Sequence, residues 1–306
     1  RDDQGWRSTT YFVREIVQSI SKGGNVMLNI GPRADGSIPQ EIKTRMEEIG
    51  KVIRTNKEGF YGTGPTPFSS ELQDWGLITQ KKDKNSTRLY LHVFEWPSDG
   101  IIRVNGLKNK VKSARILSLN KKVEVKQRGL LLHILGPVSE PCSYDSVIEL
   151  TIEGDTQVEN DFCGEINFGG IHSGIKSAKL SGGTSIIPGE KLSPENWVVS
   201  PSSIGKWEKE GAKAEWRIYV PEAGEKSLRI CYACDSIAAG QFYKVTISDV
   251  GSIKAKTLPG PRGFKEFYTR HLGKVKFPHA GMYIVSVTPV GVPDRELFYL
   301  NWLFWE

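Results

Sequence analysis

The sequence predicts a mostly β protein, in which a short helix–strand–helix segment precedes two antiparallel β-sandwiches. Three observations predict this order. Apolar residues recur at helical spacing within residues 1–65, alternate with polar residues within 66–155, and alternate again within 156–306. A length of 306 residues suits two or three domains, so we assign one domain to each of these ranges.

The segment 1–65 opens with a predicted helix. Five apolar residues recur every three to four positions and form one face: Phe12, Val13, Ile16, Val17 and Ile20. Gly23-Gly24 ends this helix, because glycine tolerates the left-handed conformation found at helix C-termini. We therefore expect an amphipathic helix that packs on one side only.

A buried strand and a second helix are predicted next. The apolar run Asn25–Ile30 lies between chain breakers, as in a strand covered on both faces of a parallel sheet. After the loop Gly31–Ile38, Ser37 and Gln40 have the spacing of a capping box, with Pro39 in the first helical turn. The apolar face of the second helix consists of Ile42, Met46, Ile49 and Ile53.

This segment does not form a complete domain by itself. A strand covered on two faces needs neighbouring strands to pair its N–H and C=O groups. The downstream sequence is β-rich and contains no matching α/β units. We therefore expect residues 1–65 to be the end of a larger α/β fold, and to expose apolar surface where its other strands are absent.

Residues 66–155 have the period-two pattern of an antiparallel sandwich. The predicted strands are Arg88–Phe94, Gly100–Val104, Ser113–Leu117, Lys121–Lys126, Leu130–Leu135 and Ser146–Ile152. Residues 156–170 are Gly-rich and irregular, so we interpret them as a linker to a second all-β module, a jelly roll. The strands predicted there are Ala178–Leu180, Lys213–Val220, Lys226–Tyr232, Phe242–Ser248, Phe267–Val275, Tyr283–Pro289 and Leu297–Trp305.

Charge and cysteine content argue against several classes of function. The net charge of +6 comes from basic residues interleaved with acidic ones, so we expect no nucleic-acid partner. There is no apolar run of about 18 residues, so we expect no membrane span. Cys231 and Cys234 have CxxC spacing, but on a strand they face opposite sides, and no second pair completes a zinc set. We therefore expect structural cysteines, no metal and no cofactor.

Three motifs in order resemble the glycoside hydrolase family 29 α-L-fucosidases. The first combines Ser21–Pro32 with Ala34–Pro39 and resembles the last barrel strand of the family. The second runs from Ile49-Gly50 to Asn56–Gly62, and the third is the sandwich strand Leu89–Pro97. Scattered positions in the last half of the chain resemble a carbohydrate-binding-type β module: Ile204–Trp207, Glu215-Trp216, Gly224 and Tyr232-Ala233.

The resemblance implies a fold and an activity. Residues 1–65 would be the terminal βα unit of a (β/α)8-like catalytic barrel, 66–155 the C-terminal sandwich, and 156–306 a linker and carbohydrate-binding-like jelly roll. Such enzymes remove terminal α-L-fucose from glycans with retention, using an Asp nucleophile and a carboxylic acid about 5–5.5 Å apart. Both groups are expected upstream, so we assign no catalytic residue to this chain. Its expected partners are a fucosylated glycan and an N-terminal barrel segment of the same protein, in a secreted or periplasmic location.

Five residues are candidates for binding the substrate. Asn29, Gly31 and Pro32 follow the predicted barrel strand at the end where barrels place their sites. An amide at Asn29 can hydrogen-bond a sugar hydroxyl, although it can equally hold a neighbouring strand. Trp6 offers a flat apolar wall, or alternatively a hydrophobic staple. Trp197, on a predicted loop of the third module, is a candidate for stacking on a sugar.

Alternatives remain open on the sequence alone. Asp2, Asp3 and Asp35 are carboxylates near the expected catalytic face, but we interpret Asp2 and Asp3 as a solvated terminus and Asp35 as a turn-former in Ala-Asp-Gly. His92 and His133 lie on predicted strands and are interpreted as structural. Because the fucose assignment rests on family resemblance, a non-catalytic glycan-binding or structural fragment, or a hydrolase for another sugar, is not eliminated.

Overall fold

A computed structural model describes residues 6–69, 71–189, 200–260 and 262–306. The chain divides into two compact units, Arg1–Asn160 and Asp161–Glu306. Both are built mainly from antiparallel β-sheet, which confirms the predicted fold class. The three-domain division made from the sequence stays a prediction. None of the helices in the described ranges is long and apolar enough to cross a membrane.

Two helices and a short helical turn open the first unit, and eight strands follow. The helices are α1 (Thr9–Ser21), α2 (Gln40–Thr55) and α3 (Lys57–Phe60). The strands are β1 (Gly76–Lys82), β2 (Ser86–Val93), β3 (Ile101–Asn105), β4 (Val111–Ile116), β5 (Lys121–Lys122), β6 (Glu124–Arg128), β7 (Leu131–Leu135) and β8 (Ser146–Glu153). They form sheets in the orders β1-β2-β8-β4-β5 and β3-β7-β6, which share one apolar core as the sandwich pattern predicted.

The first strand of this sandwich was not predicted from the sequence. β1 pairs with β2 along its whole length, with Gly76 opposite Val93. A Cβ at Gly76 would lie 1.9 Å from the carbonyl oxygen of His92, so only glycine lets the two backbones approach this closely. A glycine at the start and two lysines at the end gave this segment the composition of a loop.

The structure also corrects two predictions for residues 24–39. The run Asn25–Ile30 is not a strand, because no strand of the described residues lies beside it. It is an extended and largely exposed segment, with Met27 94% exposed. The capping box is wrong as well: α2 has Pro39 at its N-cap and no side-chain cap, while Ser37 hydrogen-bonds Asp35 instead.

The helices of the first unit rest on its sheet. As predicted, Val13, Ile16 and Val17 form the buried face of α1, and they pack with Ile49 and Phe60. The group extends to two residues of the sheet region, Leu77 and Phe94, which are partly buried. Ser8 caps α1, since its Oγ accepts a hydrogen bond from the backbone N–H of Tyr11 at 3.2 Å.

A buried polar cluster joins α2 and α3 to the same sheet. The Nδ1–H of His92 donates to Asp145 at 2.7 Å, and Nε2 lies 3.2 Å from the carbonyl oxygen of Gly59. The side-chain amide of Asn56 donates to the carbonyl oxygen of Asp145 at 3.1 Å. The side chains of His92 and Asp145 are fully buried, which confirms a structural role for this histidine.

The second unit is a sandwich of a five-stranded and a six-stranded sheet. Its strands are β9 (Ile171–Gly174), β10 (Lys179–Ser181), β11 (Ser185–Ile187), β12 (Ser203–Gly205), β13 (Lys213–Val220), β14 (Gly224–Ala233), β15 (Phe242–Ile247), β16 (Gly251–Lys256), β17 (Tyr268–Phe277), β18 (Gly281–Pro289) and β19 (Tyr299–Trp305). The sheet orders are β10-β13-β18-β15-β16 and β11-β12-β19-β14-β17, with β9 also on β19. Cys231 and Cys234 are free thiols, and burial raises the pKa of both.

Candidate functional site

Four of the five predicted binding residues line one open cavity in the first unit. The cavity measures about 1220 Å³ and lies between α1, residues 24–39 and α2. Trp6, Asn29, Gly31 and Pro32 all contribute to its lining. Trp197, Asp2 and Asp3 lie outside the described residues. The sequence motif therefore corresponds to a continuous surface, and its role in binding stays a prediction.

The segment after the predicted strand supplies polar and open positions to this cavity. Asn29 is exposed, and its carboxamide has no hydrogen-bond partner among the described residues. It therefore does not hold a neighbouring strand in this chain. A Cβ at Gly31 would meet nothing within 4 Å, so the backbone there is open to approach. Both features leave the wall free for a ligand or for another segment of protein.

A tight turn follows on the same wall. Asp35 Oδ1 accepts hydrogen bonds from the backbone N–H of Ser37 at 2.9 Å and from its hydroxyl at 2.7 Å. These bonds lower the pKa of Asp35, so its carboxylate stays ionised at lower pH than usual. Gly36 takes φ +83°, which the turn requires. Asp35 is therefore a turn-forming residue, and its low pKa is the reverse of what a general acid needs.

The opposite wall is the face of α2 that presents Glu41 and Arg45. Arg45 Nε donates to the carbonyl oxygen of Arg7 at 2.7 Å, and its Nη1 donates to that of Glu41 at 2.9 Å. The guanidinium lies 5.9 Å from the ring centroid of Trp6, within reach of a cation–π contact. Arg45 thus holds the segment that carries Trp6, whose side chain is 37% exposed at the cavity rim.

Sequence reasoning missed the charged residues of this wall. Arg45 lies four residues before Ile49 and four after Glu41, so it shares the cavity face of α2 with apolar residues. This spacing was the available signal. The apolar pattern of Ile42, Met46 and Ile49 was interpreted only as packing surface, although all three line the cavity.

The arrangement provides groups for binding and orientation. Among the described residues, the carboxylates that line the cavity are Asp35 and Glu41, the first committed to its turn and the second in the first turn of α2. A retaining glycosidase also needs a carboxylic acid with a raised pKa. Within the described ranges, no group of three or more His, Cys, Asp or Glu side chains is placed to hold a metal.

Comparison with known proteins finds similarity to one family of glycoside hydrolases in the first part of the chain. The model of the α-L-fucosidase family matches residues 1–58. The tissue α-L-fucosidase of Rattus norvegicus is 35% identical over 96 residues, which cover 31% of this chain and 20% of the rat protein. The α-L-fucosidase of Dictyostelium discoideum is 31% identical over 123 residues, covering 39% of this chain and 26% of that protein.

A solved structure extends the likeness of fold to the whole chain. The α-L-fucosidase of Vibrio sp. strain EJY3 aligns with 100% of this chain and 52% of its own, with a TM-score of 0.55 at 19% identity. At this identity the likeness concerns the fold alone. The chain covers only a fifth to a quarter of the rat and Dictyostelium relatives. The sequence matches concentrate in the first half of the chain, which is similar to the C-terminal portion of α-L-fucosidases.

Proposed function

We propose that this chain is part of a retaining exo-glycosidase that hydrolyses terminal α-L-fucose from glycans. In this proposal the nucleophile and the acid lie on preceding segments of the same protein, and the chain alone is inactive. Asn29, Gly31, Pro32 and Trp6 form one wall of the fucose pocket. The observation that carries the proposal is the free carboxamide of Asn29 on the cavity wall.

The chemistry of that wall suits a deoxy sugar. A carboxamide both donates and accepts, so Asn29 can bind adjacent hydroxyl groups of a pyranose. The indole of Trp6 offers an apolar face to the C–H groups and the methyl group of fucose. The open position at Gly31 lets a ring approach the backbone without a clash. These groups bind and orient the sugar, and the missing carboxylate pair supplies the chemistry.

The unpaired extended segment supports a partner within the same protein. In the described part of the chain, residues 25–30 make no backbone hydrogen bonds, although Val26, Met27 and Ile30 are apolar and exposed. A neighbouring strand of a barrel would pair these N–H and C=O groups and cover the side chains. A glycan substrate is also consistent with export to the cell exterior or periplasm, which we include in the proposal.

The test uses the complete protein encoded by the gene from which this sequence comes. We expect it to release 4-nitrophenol from 4-nitrophenyl α-L-fucoside, and the 306-residue chain to release none. Replacing Asn29 with Ala in the complete protein should lower kcat/KM about tenfold or more, because a hydrogen bond to the sugar is lost. Asn85→Ala is the matched control, since Asn85 is exposed in the β1–β2 turn.

Three outcomes would contradict the proposal. Turnover by the 306-residue chain would show that it carries its own catalytic residues. An inactive complete protein would favour the non-catalytic glycan-binding alternative. Equal activity of the Asn29→Ala and Asn85→Ala proteins would remove Asn29 from the pocket while leaving the fucosidase assignment in place.

A further inference from the structure

The second unit contains a pocket that no sequence motif indicated. It measures about 550 Å³ and lies between the β14–β15 connection and the β18–β19 connection. This volume falls within the range typical of small-ligand sites and holds one or two sugar rings. The residues of its lining that carry the argument are Ile237, Phe242, Val292, Asp294 and Arg295.

Exposed carbon surface makes up one part of this pocket. Phe242 is 44% exposed, Val292 60% and Ile237 69%. Side chains of this kind are normally buried, so three of them at one concave site indicate a surface for a ligand with an apolar face. The backbone N–H of Val290 donates to the carbonyl oxygen of Phe242 at 2.9 Å, which fixes the aromatic residue at the edge of the sheet.

Two charged side chains in the same pocket lack partners. Asp294 and Arg295 are exposed, and neither has a hydrogen bond or ion pair among the described residues. A carboxylate accepts hydrogen bonds from hydroxyl groups, and a guanidinium donates to them in a fixed fork. Together with the ring of Phe242, these groups match a saccharide, which presents hydroxyl groups around its edge and C–H groups on its faces.

A group of lysines surrounds Phe242. The ammonium of Lys254 lies 4.6 Å from the ring centroid of Phe242, and that of Lys256 lies 5.9 Å from it. A Cβ on Gly240, a pocket residue, would lie 3.4 Å from Cε of Lys256, so this lysine reaches the rim. Lys244 stands directly opposite Lys254 on the neighbouring strand.

This arrangement concentrates positive charge beside the pocket. Lysines directly opposite each other on neighbouring strands repel. In the described part of the chain, Lys244, Lys254 and Lys256 have no acidic partner. With Arg295, four cationic side chains stand near the pocket, against the carboxylate of Asp294 in its lining and that of Asp235, which accepts a hydrogen bond from the backbone N–H of Ile237 at 2.9 Å. The local charge therefore favours a ligand with a negative group.

We propose that this pocket binds an acidic saccharide, a sugar that carries a carboxylate or sulfate group. One face of the ring lies on Phe242, its hydroxyl groups bind Asp294 and Arg295, and its acidic group lies at Lys254 and Lys256. The carboxylate of Asp294 within the pocket disfavours a plain polyanion such as nucleic acid, because its phosphate groups would be repelled by the carboxylate. This site is separate from the fucose pocket and does not depend on it.

The test is binding of the full 306-residue chain to a panel of glycans. The panel pairs uronic, sialylated and sulfated oligosaccharides with neutral counterparts of the same linkage. We expect acidic members to bind at least about tenfold tighter than their counterparts, and this preference to weaken as salt rises from about 0.05 to 0.5 M. Inorganic sulfate alone should compete weakly, because it cannot contact Phe242.

Substitutions locate the site. Phe242→Ala and the double variant Lys254→Gln/Lys256→Gln should each weaken binding of the best acidic glycan about tenfold or more. These side chains are exposed, so the fold is retained and circular dichroism checks it. Lys276→Gln is the matched control, since Lys276 is an exposed lysine on β17, in the other sheet.

Several results would overturn the inference. The panel overturns it if no member binds, or if neutral and acidic members bind equally. The variants overturn it if they bind as the Lys276→Gln control does. Competition by sulfate as strong as that by the glycan would reduce the site to a general anion patch. Because fucoside hydrolysis is measured separately, these results leave the proposed function unaffected.

Discussion

The two sides of the helical segment in the first unit carry similar apolar residues and have opposite environments. On the side that meets the sandwich, Val13 and Val17 are fully buried and Phe60 is 6% exposed. In the segment 25–30, Ile30 lines the cavity and is 38% exposed, and Met27 is 94% exposed. Apolar character alone therefore does not decide which side of the segment is buried.

Backbone and polar partners account for the difference. On the sandwich side, the imidazole of His92 donates to Asp145, and Asn56 donates to the backbone carbonyl of Asp145. On the cavity side, residues 25–30 have no backbone hydrogen bonds within the described part of the chain. Burying such a segment would leave its N–H and C=O groups unsatisfied, so it remains in solvent. A strand needs a neighbour before its side chains can form a core.

The largest loss of stability is expected from removing His92. The variant His92→Ala leaves the fully buried carboxylate of Asp145 without its partner. Removing a fully buried ring and leaving a buried acceptor without its donor should cost about 3–5 kcal/mol of unfolding free energy. Urea denaturation of the full chain should show the first unit unfolding at a markedly lower concentration.

His271→Ala is the control for that experiment. His271 is exposed and lies 2.9 Å from the hydroxyl of Ser227, so its loss should change stability by less than about 0.5 kcal/mol. Similar urea midpoints for the two variants would show that the buried cluster does not stabilise the packing of the helices on the sheet.

Two side-chain truncations compare a predicted strand that forms with one that does not. Leu91 lies on β2 and is fully buried, whereas Met27 lies in the predicted strand that does not form. Leu91→Ala should cost about 2–5 kcal/mol, because the isopropyl group of a core residue is replaced by a cavity. Met27→Ala should change stability by less than about 0.5 kcal/mol in the 306-residue chain.

The stability cost of Met27→Ala should differ between the 306-residue chain and the complete protein. If neighbouring strands cover residues 25–30 there, Met27→Ala should become destabilising by about 1 kcal/mol or more. Thermal unfolding of both proteins measures the change. A Met27→Ala cost above about 2 kcal/mol in the 306-residue chain would contradict the open conformation described above.

Limited proteolysis tests the comparison without substitutions. Lys22 and Arg33 flank the open segment and are exposed, whereas Arg88 lies on the paired strand β2. Trypsin should cut at Lys22 or Arg33 at least about tenfold faster than at Arg88, since both are exposed at the ends of a segment, residues 25–30, whose backbone makes no hydrogen bonds in the described part of the chain. Mass spectrometry of early fragments identifies the order. Cleavage at Arg88 before Lys22 and Arg33 would contradict the open conformation of this segment.

Much of the fold could be predicted because its patterns are local. The apolar period gave α1 and α2, and alternation gave β2, β8 and the long strands of the second unit. β1 and β16 escaped because an edge strand with lysines and glycine has the composition of a loop. The strand at residues 25–30 failed for another reason: strand formation depends on neighbours that periodicity does not report.

The residues of the candidate site were also predictable only where the signal was local in sequence. Motif spacing placed Asn29, Gly31 and Pro32 together, because they are adjacent in sequence and follow one apolar run. Arg45 and the pocket around Phe242 were missed, since they depend on side chains that the fold brings together from separate elements. A single sequence shows positions along the chain, and the convergence of distant loops becomes visible only in three dimensions.

The smallest expected effect concerns Glu296, a half-buried carboxylate that has no cationic partner among the described residues. Glu296 accepts hydrogen bonds from the backbone N–H groups of Lys206 at 2.8 Å and Trp207 at 3.1 Å. Burial raises its pKa above the usual 4.5, although these bonds act in the opposite direction. The folded state therefore binds the proton more tightly than the unfolded state. The contribution of Glu296 to stability is full below pH 4.5 and declines as pH rises through the raised pKa.

Replacing Glu296 with Gln should remove that decline and keep the shape of the side chain. The difference in unfolding free energy between the original protein and the variant should shift in favour of the variant as pH rises above about 4.5, and become constant above the raised pKa. Glu210→Gln is the control, because Glu210 is exposed and has no partner among the described residues. Parallel stability curves for both variants would contradict a raised pKa at Glu296 and would show that the two backbone N–H groups offset the burial of its carboxylate.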